Sequence, residues 1–120
     1  MDISETIARM KEDPGFAENV GMVLVHNGVV RSWSRQDKNR VKLLEVSPDQ
    51  EKIMALRREF LEKKGIFDII VEAKEGRFKS GDDLLFIVVA GDIREHVKPV
   101  LSELLDRIKS EAIEKKEIHV

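Results

Sequence analysis

The sequence predicts a single α+β domain over residues 1–120, with a mixed or antiparallel sheet, two long core helices and a short N-terminal helix. Two long stretches have the i, i+3, i+4 apolar spacing of helices, whereas shorter runs rich in Val, Ile and Leu are typical of strands. A chain of 120 residues suits one compact core and is short for two ordinary domains. The predicted order is therefore α, β, β, β, α, β, β, α and a charged tail.

The N-terminal part is predicted to hold a helix and an interrupted strand. Apolar residues at helical spacing predict a short helix over residues 3–12, which Asp13-Pro14-Gly15 ends. The apolar run from Val20 to Val25 predicts a strand. Because Gly28 follows and two valines come after it, we expect a bulge or a tight turn at Gly28.

The middle of the chain is predicted to contain a loop, a strand and the first core helix. Residues 34–39 carry no apolar side chain and predict an exposed loop, and a strand is predicted from Val41 to Val46. Ser47-Pro48-Asp49-Gln50 has the pattern of a capping box with proline at the first helical position. This pattern predicts a helix over residues 48–64.

Two strands and the second core helix are predicted next. The strands run from Phe67 to Ala73 and from Leu84 to Ala90, and they need not pair with each other. Asp92 with Glu95 repeats the capping pattern before a long apolar stripe. Because Pro99 lacks a backbone donor, we expect a kink or a restart in the early turns of this helix.

Composition limits the classes of function. A net charge of -2 gives no global attraction to nucleic acid or to an anionic membrane, so any anion site must be local. No run reaches the ~20 apolar residues that span a bilayer, and a cytoplasmic protein is expected. The absence of cysteine excludes disulfides, thiolate metal sites and a cysteine nucleophile, and the three histidines lack zinc-site spacing. No metal or cofactor is predicted.

The candidate binding residues are mostly cations. The densest groups are Arg31 and Arg35 around Trp33, Arg94 at a predicted helix start, and Lys109, Lys115 and Lys116 near the chain end. Taken singly, each is more often a solvated surface charge than a ligand contact. His26 could line a pocket, but a histidine that makes ordinary hydrogen bonds in a turn is commoner, and we assign it no catalytic role.

The first third of the sequence resembles a known family. In the stretch VGMVLVHNGVVRSWSR a hydrophobic strand leads into Gly28, Val30 and Arg31, as in the opening segment of the large-subunit family of molybdopterin synthase. The similarity continues without obvious gaps over roughly residues 20–117. The chain is a short, partly degenerate example of that pattern.

The most specific part of the family pattern is a pair of lysines. One lysine follows the last long helix, and an Ala-Pro-Phe-Trp-Lys-like segment places a second lysine seven residues later. Lys109, Ala112 and Lys116 match this pattern, whereas residues 113–115 replace Pro-Phe-Trp. The histidine that usually precedes the arginine of the last helix is Ile93 here.

The resemblance implies an α/β hammerhead fold and an enzyme of molybdenum cofactor biosynthesis. Such a large subunit forms a homodimer within a heterotetramer and binds a small ubiquitin-like sulfur carrier. Sulfur passes from the carrier's C-terminal thiocarboxylate to cyclic pyranopterin monophosphate, which forms molybdopterin. By this resemblance Lys109 and Lys116 are catalytic, through charge stabilisation and proton transfer, while Arg31 and Arg94 bind anionic groups of the substrates.

Two alternatives remain open at this point. The chain could be a non-catalytic paralogue that binds a ubiquitin-like carrier without turning over pterin, or an orphan α+β domain with an unrelated small-molecule partner. Trp33 could stack on a planar pterin in place of the Phe-Trp pair, although a lone tryptophan is more often buried. Typical members continue with a tail that helps to complete a neighbouring subunit's pocket, whereas this sequence stops at Val120.

Overall fold

The structure of the protein is a computed structural model, which describes residues 1–32 and 41–119. Its helices are α1 (Ile3–Lys11), α2 (Phe16–Asn19), α3 (Gln50–Leu61) and α4 (Arg94–Glu111). Its strands are β1 (Met22–Val29), β2 (Val41–Pro48), β3 (Ile66–Ala73), β4 (Gly76–Phe78), β5 (Asp83–Gly91) and β6 (Ile113–His119). The α+β class is confirmed, while the predicted loop at 34–39, Trp33 and Arg35 lie outside the described residues.

The strands form two antiparallel sheets of three strands each. The first has the order β1-β5-β3, and the second has the order β4-β2-β6. The central strand β5 reads DLLFIVVAG, and residues 84–91 are all buried. A continuous apolar run is expected for a strand that is covered on both faces. β3 and β5, which the sequence alone does not require to pair, are antiparallel neighbours.

Two apolar clusters cover the faces of this central strand. Ile87 and Val89 point into the main cluster, where Phe60 of α3 and Leu104 of α4 are nearly inaccessible to solvent. Val88 and Ala90 point the other way, towards Met10 of α1. The alternation of a strand explains this division between the two faces. The main cluster also includes Leu44 and Val46 of β2, so the two sheets share one core.

The irregularity predicted at Gly28 is confirmed as a break in the pairing of β1 with β5. The register is constant from Met22 to Gly28 and then shifts, because Val29 pairs with Asp83 and skips Leu84. One extra residue on β5 is the pattern of a β-bulge. Beyond it, Val30 is buried and its backbone N–H donates to the Asp82 carbonyl at 2.9 Å.

The first core helix begins later than the capping box predicts. Asp49 is the N-cap of α3, and its carboxylate accepts from the Lys52 backbone N–H at 3.0 Å. The assignment of Ser47 as the cap was wrong because Pro48 is the last residue of β2 and pairs with Ile113. Gln50 does not close a capping box, since its side chain donates to the Ala73 carbonyl at 3.0 Å.

The second core helix also differs from its predicted start. The N-cap of α4 is Ile93, which makes no side-chain cap. Asp92 accepts instead from the Ile93 N–H at 2.6 Å and lies 2.8 Å from His96 Nδ1. The restart expected at Pro99 does not occur, because α4 is one helix from residue 94 to 111. Pro99 is exposed near the helix start, where water can satisfy the carbonyl that it leaves without a donor.

The charged tail is a strand. β6 begins one residue after α4 and pairs antiparallel with β2, from Pro48↔Ile113 to Val41↔His119. Ala112, the single residue between the two elements, is buried. Its N–H donates to the Ile108 carbonyl at 2.9 Å, and its carbonyl accepts from the Asp49 N–H at 2.7 Å. This junction fixes the end of α4 against the start of α3 and directs the chain back across the second sheet.

Candidate functional site

A cavity of about 380 Å³ lies where the two sheets meet beside the end of α4. Its size is that of a small-molecule site. The lining residues come from β1 and the segment after it (His26, Asn27, Gly28, Val29, Val30, Arg31), from β2 and β5 (Leu44, Val46, Leu84, Leu85), and from α4 and β6 (Lys109, Ile113, Lys115, Glu117). Apolar side chains form its floor, and three cations, one histidine and one carboxylate lie around it.

Lys109 is positioned by a rigid helix end. It is exposed in the last turn of α4, directly after Ile108, which is completely buried. The hydrogen bonds of Ala112 hold the next turn in place. A helix C-terminus favours a cation, because the unpaired carbonyls there carry partial negative charge. The backbone of Lys109 is therefore well defined, and its side chain lines the cavity.

The next strand supplies a second lysine. Side chains of a strand alternate between its faces, and Ile113, Lys115 and Glu117 line the cavity from alternate positions of β6. Lys115 keeps exposed surface, yet burial is the largest cause that lowers its pKa from 10.5. The charges of Lys109 and Arg31 lower it further, whereas Glu117 opposes them. The lysines, Arg31 and Glu117 thus act on one another.

His26 also lines the cavity, from the middle of β1, where it is paired with Ile87 of β5. Its Nε2 atom is buried and has no hydrogen-bond partner among the described residues. A Cβ atom at position 28 would lie 3.0 Å from Nε2, so the glycine leaves room for the ring. Burial lowers the pKa of His26 from 6.5, and the charges of Lys109 and Lys115 lower it further. Both effects favour the neutral imidazole over the imidazolium.

The structure brings only two of the four predicted site residues to this cavity. Lys109 and Arg31 line it. Lys116 projects from the other face of β6, next in sequence to Lys115. Arg94 begins α4, so it lies about 22 Å along the helix from Lys109, and its Nε donates to Glu95 at 3.2 Å. Within one chain, Lys116 and Arg94 do not join the cavity.

His26 and Lys115 are the two site residues that the sequence did not assign. Reading β1 as alternating through Leu24, His26 and Val30 would have placed the histidine on the core side, since Leu24 and Val30 both belong to the main cluster. No comparable signal marks Lys115. The apolar residues of β6, Ile113 and Ile118, are five apart and do not define one strand face.

The chemistry of this arrangement favours anions. Three cations beside an apolar floor can bind a phosphate or carboxylate, and a lysine with a lowered pKa is typical of a functional site. In the part of the chain that the structure describes, no group of three or more histidines and carboxylates is placed to hold a metal ion. No helix within residues 1–32 and 41–119 is long and apolar enough to cross a membrane.

The fold and the cavity define an α+β protein with a cation-lined site of small-molecule size. The sequence profile described as "MoaE protein" matches residues 1–111, and the chain belongs to this family. MoaE proteins are the large subunits of molybdopterin synthase, which confirms the resemblance and assigns the chain to molybdenum cofactor biosynthesis. No curated protein matches the sequence.

Solved structures have the same fold at low sequence identity. A structure of molybdopterin synthase from Staphylococcus aureus is 24% identical, with a TM-score of 0.73 over 84% of this chain and 76% of that one. The molybdopterin biosynthesis MoaE protein from Burkholderia ambifaria is 19% identical, with a TM-score of 0.78 over 98% and 76%. A complex of subunits 1 and 2 of molybdopterin-converting factor from Helicobacter pylori contains a chain that is 18% identical, with a TM-score of 0.70 over 100% and 84%.

Proposed function

We propose that this chain is the sulfur-transferring subunit of a molybdopterin synthase. Sulfur passes from the C-terminal thiocarboxylate of a small ubiquitin-like carrier to cyclic pyranopterin monophosphate, which forms the dithiolene of molybdopterin. A dithiolene has two sulfur atoms, so two thiocarboxylated carriers are consumed, and each carrier's acyl carbon takes an oxygen from the substrate or water and ends as a carboxylate. The observation that carries the proposal is the cavity in which Lys109, Lys115 and Arg31 converge, in a chain of the MoaE family. A cytoplasmic location is part of the proposal.

The cavity has the charge that both substrates require. The carrier's thiocarboxylate and the substrate's phosphate are anions, and each gains charge-assisted hydrogen bonds from lysine or arginine. Because the chain has no cysteine, the sulfur must arrive on another molecule. In this proposal Lys109 acts at the reacting groups by charge stabilisation and proton transfer, and Arg31 holds an anionic group. Lys115 lines the cavity where the family pattern would use Lys116.

The direct test is product formation. The purified protein is mixed with thiocarboxylated carrier and cyclic pyranopterin monophosphate, and molybdopterin is measured. Formation of molybdopterin supports the proposal, whereas carrier binding without product supports the non-catalytic paralogue. One observation favours that second candidate: Ile113 and Lys115 line the cavity where the family pattern has proline and tryptophan. Neither side chain offers an aromatic face to a pterin ring.

The carrier is expected to bind through its extended C-terminal tail. A terminal carboxylate or thiocarboxylate complements Lys109 and Lys115 only if the tail reaches the cavity. Deleting the carrier's last two glycines should therefore abolish binding, as measured by titration calorimetry. The intact carrier with a free carboxylate is the control. Equal affinity of the truncated and intact carriers would contradict the tail-in-cavity arrangement.

A homodimer within a heterotetramer is also part of the proposal. The complex of subunits 1 and 2 from Helicobacter pylori suggests a small-subunit partner for this chain. Within one chain Arg94 lies far from Lys109, so an Arg94 that takes part in the site has to come from a second copy. Light scattering at micromolar concentration should give twice the chain mass of 13.8 kDa. A mass of one chain would contradict the dimer.

A further inference from the structure

The cavity contains one group whose role the proposed sulfur transfer does not explain. His26 lines the same cavity as the lysines, and its buried Nε2 has no partner in the described residues. A buried polar atom without a partner is costly, and such atoms are uncommon in folded proteins. An imidazole in this position needs an explanation other than packing.

The surroundings of His26 decide what can become its partner. The charged groups that line the same cavity are Lys109 from α4, Lys115 and Glu117 from β6, and Arg31 after β1. The side chains contributed by β2 and β5 are Leu44, Val46, Leu84 and Leu85, which carry no charge. Positive charge thus dominates around the ring, and it opposes the imidazolium form as long as the cavity holds no anion.

We propose that His26 is an anion-binding residue of this cavity, one that becomes charged only when an anion occupies the site. Because Nε2 is inaccessible in the empty cavity, the ring turns on binding, and Nε2 then donates to the anion beside the lysines. The ligand class is a phosphate or carboxylate bearing group with up to two negative charges. The inference rests on the anion-binding part of the proposed function. It adds that binding of the anion is coupled to uptake of one proton by His26.

The sign of the proton linkage follows from the charges. In the empty cavity burial and the two lysines hold the pKa of His26 below 6.5. A bound anion offsets the lysine charges and gives the imidazolium a partner, so the pKa of His26 is higher in the complex. Binding therefore takes up a proton between these two pKa values. Affinity for the anion increases as pH falls through the pKa of the complex, and it levels off below the pKa of the free protein.

Sulfate is the suitable probe, because it does not itself titrate between about pH 5.5 and 8. A rise of about one unit in the pKa of His26 corresponds to a roughly tenfold gain in affinity over this range. We expect that gain for the wild type, measured by calorimetry in two buffers that differ in heat of ionisation. His26→Gln should show less than about a twofold change with pH and no proton uptake.

Three further variants and one titration identify the residue that takes up the proton. Lys115→Arg cannot lose its proton near neutral pH, so proton uptake that persists in this variant comes from another group. His96→Gln alters a histidine beside Asp92 at the start of α4 and should behave as the wild type. The nuclear magnetic resonance titration of the His26 ring, with and without sulfate, gives the two pKa values directly. His26→Phe repeats the test with a ring that cannot protonate.

Each outcome bears on this inference separately from the sulfur-transfer proposal. Sulfate binding with proton uptake that is lost in His26→Gln supports it, even if the protein forms no molybdopterin. Absence of sulfate binding overturns it, as does binding without proton uptake or uptake that survives His26→Gln and His26→Phe. Molybdopterin formation together with any of these negative results would leave the proposed function standing.

Discussion

Replacement of Lys109 by alanine is expected to lower the rate of molybdopterin formation by about 100-fold or more. The lysine lines the cavity from the last turn of α4, where buried Ile108 and the hydrogen bonds of Ala112 fix the backbone. A fixed backbone limits where the ammonium can reach, so its charge stays close to a ligand in the cavity. Carrier affinity should change much less, because Lys115 and Arg31 still attract the tail. Single-turnover kinetics and calorimetry measure the two effects.

The variant Lys109→Arg separates proton transfer from simple attraction. Guanidinium stays protonated and is bulkier, so it should fail nearly as badly as alanine if Lys109 transfers a proton. If the lysine only attracts anions, arginine should restore the rate. The control is Lys98→Ala, which removes an exposed lysine from the same helix away from the cavity. Turnover like that of the wild type in Lys109→Ala would remove this residue from the mechanism.

The strands and helices that could be predicted well are those in which burial fixes the spacing of the apolar residues. β5 was recognisable because both of its faces are covered, which requires an unbroken apolar run. α4 was recognisable because Val97, Leu104 and Ile108 are all buried at helical spacing. The first residues of the helices were less predictable, since the residues of a capping-box pattern can belong to a preceding strand. Pro48 pairs with Ile113 and so could not begin α3.

The candidate site was predictable only in part, because its residues are not selected by burial. Lys109 could be found, since it ends a well-defined helix and matches a family motif. Lys115 was among the candidate cations but could not be chosen over Lys116, because β6 is held by backbone pairing with β2 rather than by a regular apolar face. An exposed edge strand with charged residues on both faces looks like a solvated tail in the sequence. The one-residue choice between Lys115 and Lys116 therefore depended on the strand's register.

The adjacent lysines of β6 allow a matched comparison, in which only one of the two alanine variants is expected to lower turnover strongly. Lys115→Ala is expected to lower turnover about tenfold to 100-fold, because it removes a positive charge from the cavity wall. Lys116→Ala should change turnover by less than about threefold, since this side chain projects from the opposite face of the same strand. Both changes remove one lysine from neighbouring positions, so differences in net charge or strand propensity cannot explain unequal effects.

The pH dependence of turnover tests how Lys115 acts. Burial and the charges of Lys109 and Arg31 lower the pKa of Lys115 from 10.5, so its ammonium is lost at a lower pH than that of an ordinary lysine. If the ammonium holds an anion, turnover falls as pH rises through this lowered pKa. Lys115→Arg should keep about a third or more of the wild-type rate and lose this alkaline decline, because guanidinium stays charged. An inactive Lys115→Arg would show that Lys115 does more than attract an anion.

The pair of alanine variants also tests which face of β6 belongs to the site. If Lys116→Ala proved to be the damaging variant and Lys115→Ala the mild one, the face of β6 assigned to the site would be wrong.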